Sequence, residues 1–184
     1  TNASRLDAEA SASLIEAGLD YLVVSCDAVS RESYKLYHGV DRYERVMSNL
    51  RSFAETRRRL RSRFPFFDLQ FILMKENVGE MDRLRKLAAD LGANKLSLLA
   101  LDEGDANYHL DPDVSSKEDL LPADEALRMD WSLLDLSKPC RLPFEQAVLR
   151  YSGTVLPCVS DQGHEHVAGS LFAAEGERRS FEEI

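Results

Sequence analysis

Cys140 and Cys158 flank Gly153, with twelve residues between the first cysteine and the glycine and four between the glycine and the second. Thiolates suit iron–sulfur clusters and zinc, and in a chain expected to be cytoplasmic a disulfide is the weaker expectation. A cluster takes four cysteine ligands as a rule, and only Cys140 and Cys158 are placed for one. A rival set adds His164 and His166 to form a two-cysteine, two-histidine zinc site, although that spacing matches no common zinc pattern. Two thiols without any metal are the plainest reading. The third cysteine, Cys26, reads as a small buried residue with no chemistry.

The remaining candidates sit on apolar runs. In "DYLVVSCDA" a period of two puts Val23, Ser25 and Asp27 on one face and Val24 and Cys26 on the other. Ser25 and Asp27 are thereby placed to point together into a site. The alternative is that Asp27 caps the next helix and Ser25 closes the strand. In "FFDLQFILMKEN" Asp68, Gln70 and Ile72 share a face, and a glutamine amid apolar residues needs a partner. A bound cofactor would provide one; so would another buried side chain. Asn77 and Glu80 either face a ligand or build a turn and the first turn of a helix, where a carboxylate suits the dipole.

These residues need elements to hold them. Residues 7 to 17 have helical spacing, with Asp7 as N-cap and Gly18 as the stop. A strand over 20–26 follows, then a helical stretch from Ser30 to Leu60 broken near Gly39. A strand over 67–73, a helix ending at Gly92 and a strand over 95–101 complete the series. Helix and strand alternating in this way predict an α/β fold with parallel strands and right-handed crossovers. Three strands are few for such a sheet, and the opening Thr1-Asn2 reads as the end of a fourth. The expectation is the C-terminal half of a partial TIM-like (β/α) barrel, or of an open sheet. Residues 102 to 122 are an acidic loop or linker, and "PADEALRMDWSLLDLSK" predicts a helix with Trp131 in a core. Two short strands around a two-residue Ser152-Gly153 turn then predict a hairpin. The domain division expected is 1–121 for the barrel part and 122–184 for a connecting helix and a small auxiliary domain.

The chain of 184 residues is 44% hydrophobic and 30% charged, with a formal net charge of −9. That balance argues against a nucleic-acid surface, which needs a concentrated basic face. The one basic cluster, Arg57 to Arg63, reads as a solvated helix end beside the negative pole of the dipole. No apolar run of about 20 residues spans a membrane and no leader is visible, so cytoplasmic is the default location.

In order and spacing, "TNASRLDAEASASLIEAGLDYLVVSCDAVSRESYKLYHG" and "FILMKENVGE" resemble the middle of a radical S-adenosylmethionine enzyme. There a strand ending in Thr-Asn precedes a helix and a strand ending in Ser-x-Asp. The Cys140, Gly153, Cys158 spacing resembles the opening of the SPASM auxiliary iron–sulfur domain, with "PCVSDQGHEHVAGSLF" similar to its continuation. The resemblance implies a 4Fe-4S cluster and S-adenosyl-L-methionine in a longer parent protein, and a 5′-deoxyadenosyl radical acting on a peptide, protein or small molecule. It places Ser25 against the methionine or ribose part of the cofactor, with Asp27, Gln70 and Asn77 as the other cofactor-binding candidates, and makes Cys140 and Cys158 metal ligands. The CxxxCxxC loop and the glycine-rich stretch of the family have no counterpart here, so the chain alone is expected to bind neither cofactor, to be inactive, and to dimerise through edges left by truncation. The competing classes are a zinc-stabilised protein-binding module and a phosphometabolite-binding βα-barrel fragment, the latter weakened by the lack of a glycine-rich phosphate loop.

Overall fold

A computed structural model of the chain describes residues 1–101, 117–130, 137–159, 161, 163 and 165–172. It divides into two compact units, Thr1–Asp130 and Trp131–Ile184. The acidic stretch 102–116, Trp131 and His164 lie outside the described residues.

In the first unit, α1 (Ala8–Glu16) begins where the Asp7 carboxylate accepts from the Ala10 amide at 2.9 Å. It stops at Gly18, whose φ of +78° is a left-handed conformation that glycine adopts without a Cβ penalty. Strand β1 (Tyr21–Ser25) leads to α2 (Arg31–His38), capped by the Ser30 hydroxyl and ended by Gly39 at φ +64°. The long α3 (Tyr43–Arg59), β2 (Phe66–Leu73), α4 (Met81–Asp90) and β3 (Lys95–Ala100) follow.

The three strands are parallel and lie in the order β1-β2-β3. Thr1 extends the pattern: its amino group donates to the Val23 carbonyl at 3.0 Å and its carbonyl accepts from the Ser25 amide at 2.9 Å. This is the alternating bond pair of a parallel ladder. One face of the sheet carries Leu22, Val24, Phe67, Leu69 and Phe71, buried in a single cluster with Leu50 and Phe53 of α3 and Leu84 of α4. Phe53 meets Phe67 edge to face at 5.2 Å. Burying a side chain of this size is worth about 1.5–3 kcal/mol, so this cluster, more than helix propensity, holds the sheet to its helices. A smaller cluster of Tyr37, Met74, Leu101 and Leu120 is buried beside it, and the Leu120 carbonyl accepts from the Lys75 amide at 2.8 Å.

The helix expected over 122–138 does not form in its described part. A 3-10 turn at Glu125–Leu127 ends at Arg128, whose backbone is extended. Arg128 Nε donates to the Pro122 carbonyl at 2.8 Å, a bond that folds the segment back on itself.

The second unit holds a short helix, α5 (Leu142–Glu145), and an antiparallel sheet in the order β4-β5-β6. Its strands are Val148–Leu149, Thr154–Leu156 and Gly169–Ser170. The expected two-residue turn is a three-residue one. Arg150 N–H donates to the Thr154 carbonyl at 2.9 Å, closing that pair and leaving Tyr151, Ser152 and Gly153 as the loop. Gly153 has φ +81°, and a Cβ built on it would lie 2.4 Å from the Phe172 ring. Both facts demand glycine.

Candidate functional site

Paired positions in adjacent parallel strands put their side chains on the same face of the sheet. Ser25 pairs with Gln70 and Gln70 with Ser97, so three polar residues form one row across β1, β2 and β3. The row lies on the face opposite the helix-covered core. Ser25 and Gln70 are half-buried. Neither side chain has a hydrogen-bond partner among the described residues, which leaves a hydroxyl and an amide with their donors and acceptors unspent. The second partner expected for a buried glutamine is thus not supplied by a described side chain.

One level toward the strand starts, Asp68 is flanked by Val23 and Lys95. Its carboxylate accepts from Ser97 Oγ at 2.7 Å, Tyr21 Oη at 2.8 Å and Lys95 Nζ at 3.3 Å. Burial works against ionisation, but these hydrogen bonds outweigh it and hold the carboxyl below its ordinary range. Ser97 carries no obvious signal in "NKLSLLAL", yet the alternation that exposed Gln70 places it in the same row.

At the strand ends the alternation breaks. Asp27 has φ +56° and is 2% exposed, so it turns out of the strand rather than continuing the Ser25 face. Its Oδ1 accepts from the Ile72 amide at 2.9 Å, tying the end of β1 to that of β2. Asp27 does not cap α2; Ser30 does. Asn77 is fully buried. Its Oδ1 accepts from the Met74 amide at 2.8 Å, and its Nδ2 donates to the carbonyls of Ile72 at 2.8 Å and Asp27 at 3.3 Å. Asp27 and Asn77 together therefore form a latch across the two strand ends, while Ser25 and Gln70 stand open beside it.

His38 went unnoticed in the sequence. Its ring packs on Tyr34 at 4.2 Å, and its buried Nε2, 3.9 Å from Asp27 Oδ2, has no hydrogen-bond partner. Desolvation lowers its pKa, against the opposing effect of the Cys26 carbonyl, and desolvation pushes Asp27 up to about 7 despite the bond from the Ile72 amide. Only its place in the last turn of a helix, before a glycine, marked His38 in the sequence. Cys26 is fully buried and its thiol is pushed up to about 12 by burial, as suits a residue without chemistry. At the same end of the strands, Ser30, Glu32, Ser33, Leu36, Glu76 and Glu80 line a cavity of about 270 Å³, whose carboxylates favour a cationic group.

In the second unit Cys140 is exposed and Cys158 half-buried, and no cysteine is in a disulfide. His166 is exposed, 3.9 Å from Asp161. Among the described residues no group of three or more His, Cys, Asp or Glu side chains is placed to hold a metal ion, so these residues do not by themselves complete a cluster or zinc site. No described helix is long and apolar enough to cross a membrane.

No known family pattern matches the chain, and no solved structure does. Curated relatives do. The probable GTP 3',8-cyclase of Saccharolobus islandicus is 33% identical over 85 residues, 46% of this chain and 26% of the relative. That of Metallosphaera sedula is 32% identical over 88 residues, 48% of this chain and 26% of the relative. That of Saccharolobus solfataricus is 32% identical over 85 residues. The match spans about a quarter of the length of these proteins.

Proposed function

We propose that this chain is part of a radical S-adenosylmethionine enzyme and that the face of its sheet opposite the core packed on α3 and α4 holds the cofactor. The observation that carries the reading is the Ser25–Gln70 pair: two polar side chains in register, half-buried, with unspent hydrogen-bonding capacity. Sequential parallel strands with one face packed in a single helix-lined core are what a segment of a (β/α) barrel looks like, and such barrels carry function at the C-terminal strand ends. The paired ladder bonds of Thr1 support a further strand before β1.

The relatives strengthen the reading. A 3',8-cyclisation joins a ribose carbon to a purine carbon, each bearing hydrogen, which is chemistry that abstraction by a carbon radical initiates. S-Adenosylmethionine supplies that radical when a reduced 4Fe-4S cluster is bound with it. This chain's own residues bind and orient: Ser25 and Gln70 offer donors and acceptors to the ribose or methionine part, and the Asp27–Asn77 latch fixes the strand ends that present them. Glu32 and Glu76, which line the acidic cavity, offer carboxylates to the positive charge of the cofactor, while Glu80 already pairs with Arg83. Cys140 and Cys158 contribute two ligands of an auxiliary cluster that the longer parent protein completes. The substrate is a peptide, protein or small molecule.

The test is binding of S-adenosylhomocysteine, an unreactive analogue, to the protein that joins this segment to a CxxxCxxC cluster loop, followed by amide chemical shifts. Saturable shifts at Ser25, Gln70 and Ser97 that vanish in Ser25→Ala/Gln70→Ala support the proposal. Shifts confined to other residues contradict it.

A further inference from the structure

The basic run Arg57 to Arg63 has a consequence beyond helix-end chemistry. Arg57, Arg58 and Arg59 form the last turn of α3, and there a positive charge offsets the dipole. That accounts for charge at the helix end but not for its arrangement. Arg57, Arg58, Arg61 and Ser62 line a cavity of about 350 Å³ with Ala89, Asp90 and Gly92 from the end of α4, a volume within the range of ligand sites. It lies beyond the C-terminal ends of α3 and α4, near the starts of the strands rather than their ends.

Two of these arginines are held in place. Arg57 Nη1 donates to the Gly92 carbonyl at 3.2 Å and Nη2 to Asn94 Oδ1 at 3.0 Å; Arg58 Nε donates to the Ala54 carbonyl at 3.2 Å. Each terminal nitrogen of Arg57 keeps one N–H, and those of Arg58 have no acceptor among the described residues. Arg61 sits in a left-handed backbone conformation, φ +49°, which costs a non-glycine residue about 1 kcal/mol or more. Its amide donates to the Arg58 carbonyl at 3.0 Å, while its guanidinium has no partner among the described residues. No described carboxylate forms an ion pair with Arg57, Arg58, Arg59, Arg61 or Arg63, in a chain whose net charge is −9. The one carboxylate in the lining, Asp90, already pairs with Lys86 at 3.5 Å.

We infer that this cavity is a binding site for a small multiply charged phosphate anion, a di- or triphosphate group, held by the Arg57, Arg58 and Arg61 guanidinium groups. Guanidinium groups match phosphate oxygens in pairs of parallel N–H bonds. A cavity, rather than a flat basic face, favours a small anion over an acidic protein surface. Acceptors from such a ligand take up the N–H groups that Arg57 and Arg58 leave over, and the ligand charge neutralises the unpaired cations.

The probe is inorganic tripolyphosphate, titrated into the chain by calorimetry at low salt, with orthophosphate and a glutamate peptide of equal charge as parallel arms. Saturable 1:1 binding is expected, tighter for tripolyphosphate than for orthophosphate and weakened by raising the salt from about 50 to 200 mM. Arg58→Gln/Arg61→Gly should lower the affinity by about tenfold or more, since two charge-assisted contacts are lost. Glycine at position 61 relieves the backbone strain, so the variant keeps its fold, which far-ultraviolet circular dichroism checks. Absence of saturable tripolyphosphate binding, equal binding by the double variant, or tighter binding of the glutamate peptide each overturns the inference.

Discussion

Replacing Asp27 by Asn should make the stability of the first unit less sensitive to pH, in a direction the structure fixes. The carboxylate is 2% exposed and its pKa is pushed from 3.8 up to about 7 by desolvation, with the Ile72 amide bond acting the other way. A carboxyl whose folded pKa is raised contributes stability that is whole below pH 3.8 and is lost as pH rises through about 7. At about 1.4 kcal/mol per unit, the wild-type chain loses up to ~4 kcal/mol across that window relative to a neutral residue. Asparagine keeps Oδ1 to accept from the Ile72 amide, tolerates the left-handed backbone, and turns an amide toward the unpartnered His38 Nε2. His38 contributes the opposite trend, present above pH 6.5 and lost as pH falls, because burial lowers its pKa. Because His38 Nε2 lies 3.9 Å from Asp27 Oδ2, an amide there favours the neutral ring, so this trend is steeper in the variant and adds to the difference in the same direction. Urea denaturation followed by helical circular dichroism at pH 4, 5.5, 7 and 8 measures it; among the described residues the helices are chiefly α1 to α4 of the first unit. Asp27→Asn should gain on the wild type steadily from pH 4 to 7 and level off above. A pH-independent difference, or a wild type that gains on the variant toward pH 8, would refute the reasoning.

Further predictions concern the latch, the thiols, the hairpin, the metal and the edge. Asn77→Ala removes three buried hydrogen bonds and should cost about 2–4 kcal/mol in the same denaturation assay; a loss under 1 kcal/mol would show that water replaces the amide. Thiol titration of the native chain at pH 8 should label Cys140 first and leave Cys26 unreacted until denaturant is added. Gly153→Ala should destabilise the small sheet by more than about 1 kcal/mol, read as faster amide exchange at Leu171, whose N–H donates to the Gly153 carbonyl. In the protein that supplies the remaining cluster ligands, Cys140→Ala/Cys158→Ala should lower bound iron while leaving the share of the first cluster. Leu98 and Leu99, both over 40% exposed on β3, have no strand beyond them among the described residues, so sedimentation equilibrium at micromolar concentration should show a dimer or higher oligomer.

Much of this arrangement was legible because its causes are local. The strands at 20–26, 67–73 and 95–101 form at Tyr21–Ser25, Phe66–Leu73 and Lys95–Ala100, since β-branched and aromatic runs between turn residues have few other uses. Gly39 ends one helix before the next begins because its own φ allows it. What escaped the sequence depends on distant partners. Alternation carried the Ser25 face on to Asp27, but a bond to the Ile72 amide 45 residues away turns that side chain aside. Asn77 read equally well as ligand contact or turn, because the carbonyls it bonds belong to two strands. His38 acquires meaning only from Asp27 across a helix-to-strand contact. The third strand of the small sheet, Gly169–Ser170, pairs with Thr154 and Val155 without any pattern of its own, and no spacing rule reveals two-residue strands.

We propose that this chain belongs to an enzyme that cleaves S-adenosylmethionine and presents Ser25 and Gln70 to it. The decisive measurement is 5′-deoxyadenosine formed from S-adenosylmethionine under reducing, anaerobic conditions by the protein that joins this segment to a CxxxCxxC cluster loop. Nucleoside above a no-protein control is expected, with a fall of about tenfold or more in Ser25→Ala/Gln70→Ala from the loss of two hydrogen bonds, and none from the 184-residue chain alone. Product from the isolated chain, or equal product from the double variant, would contradict it.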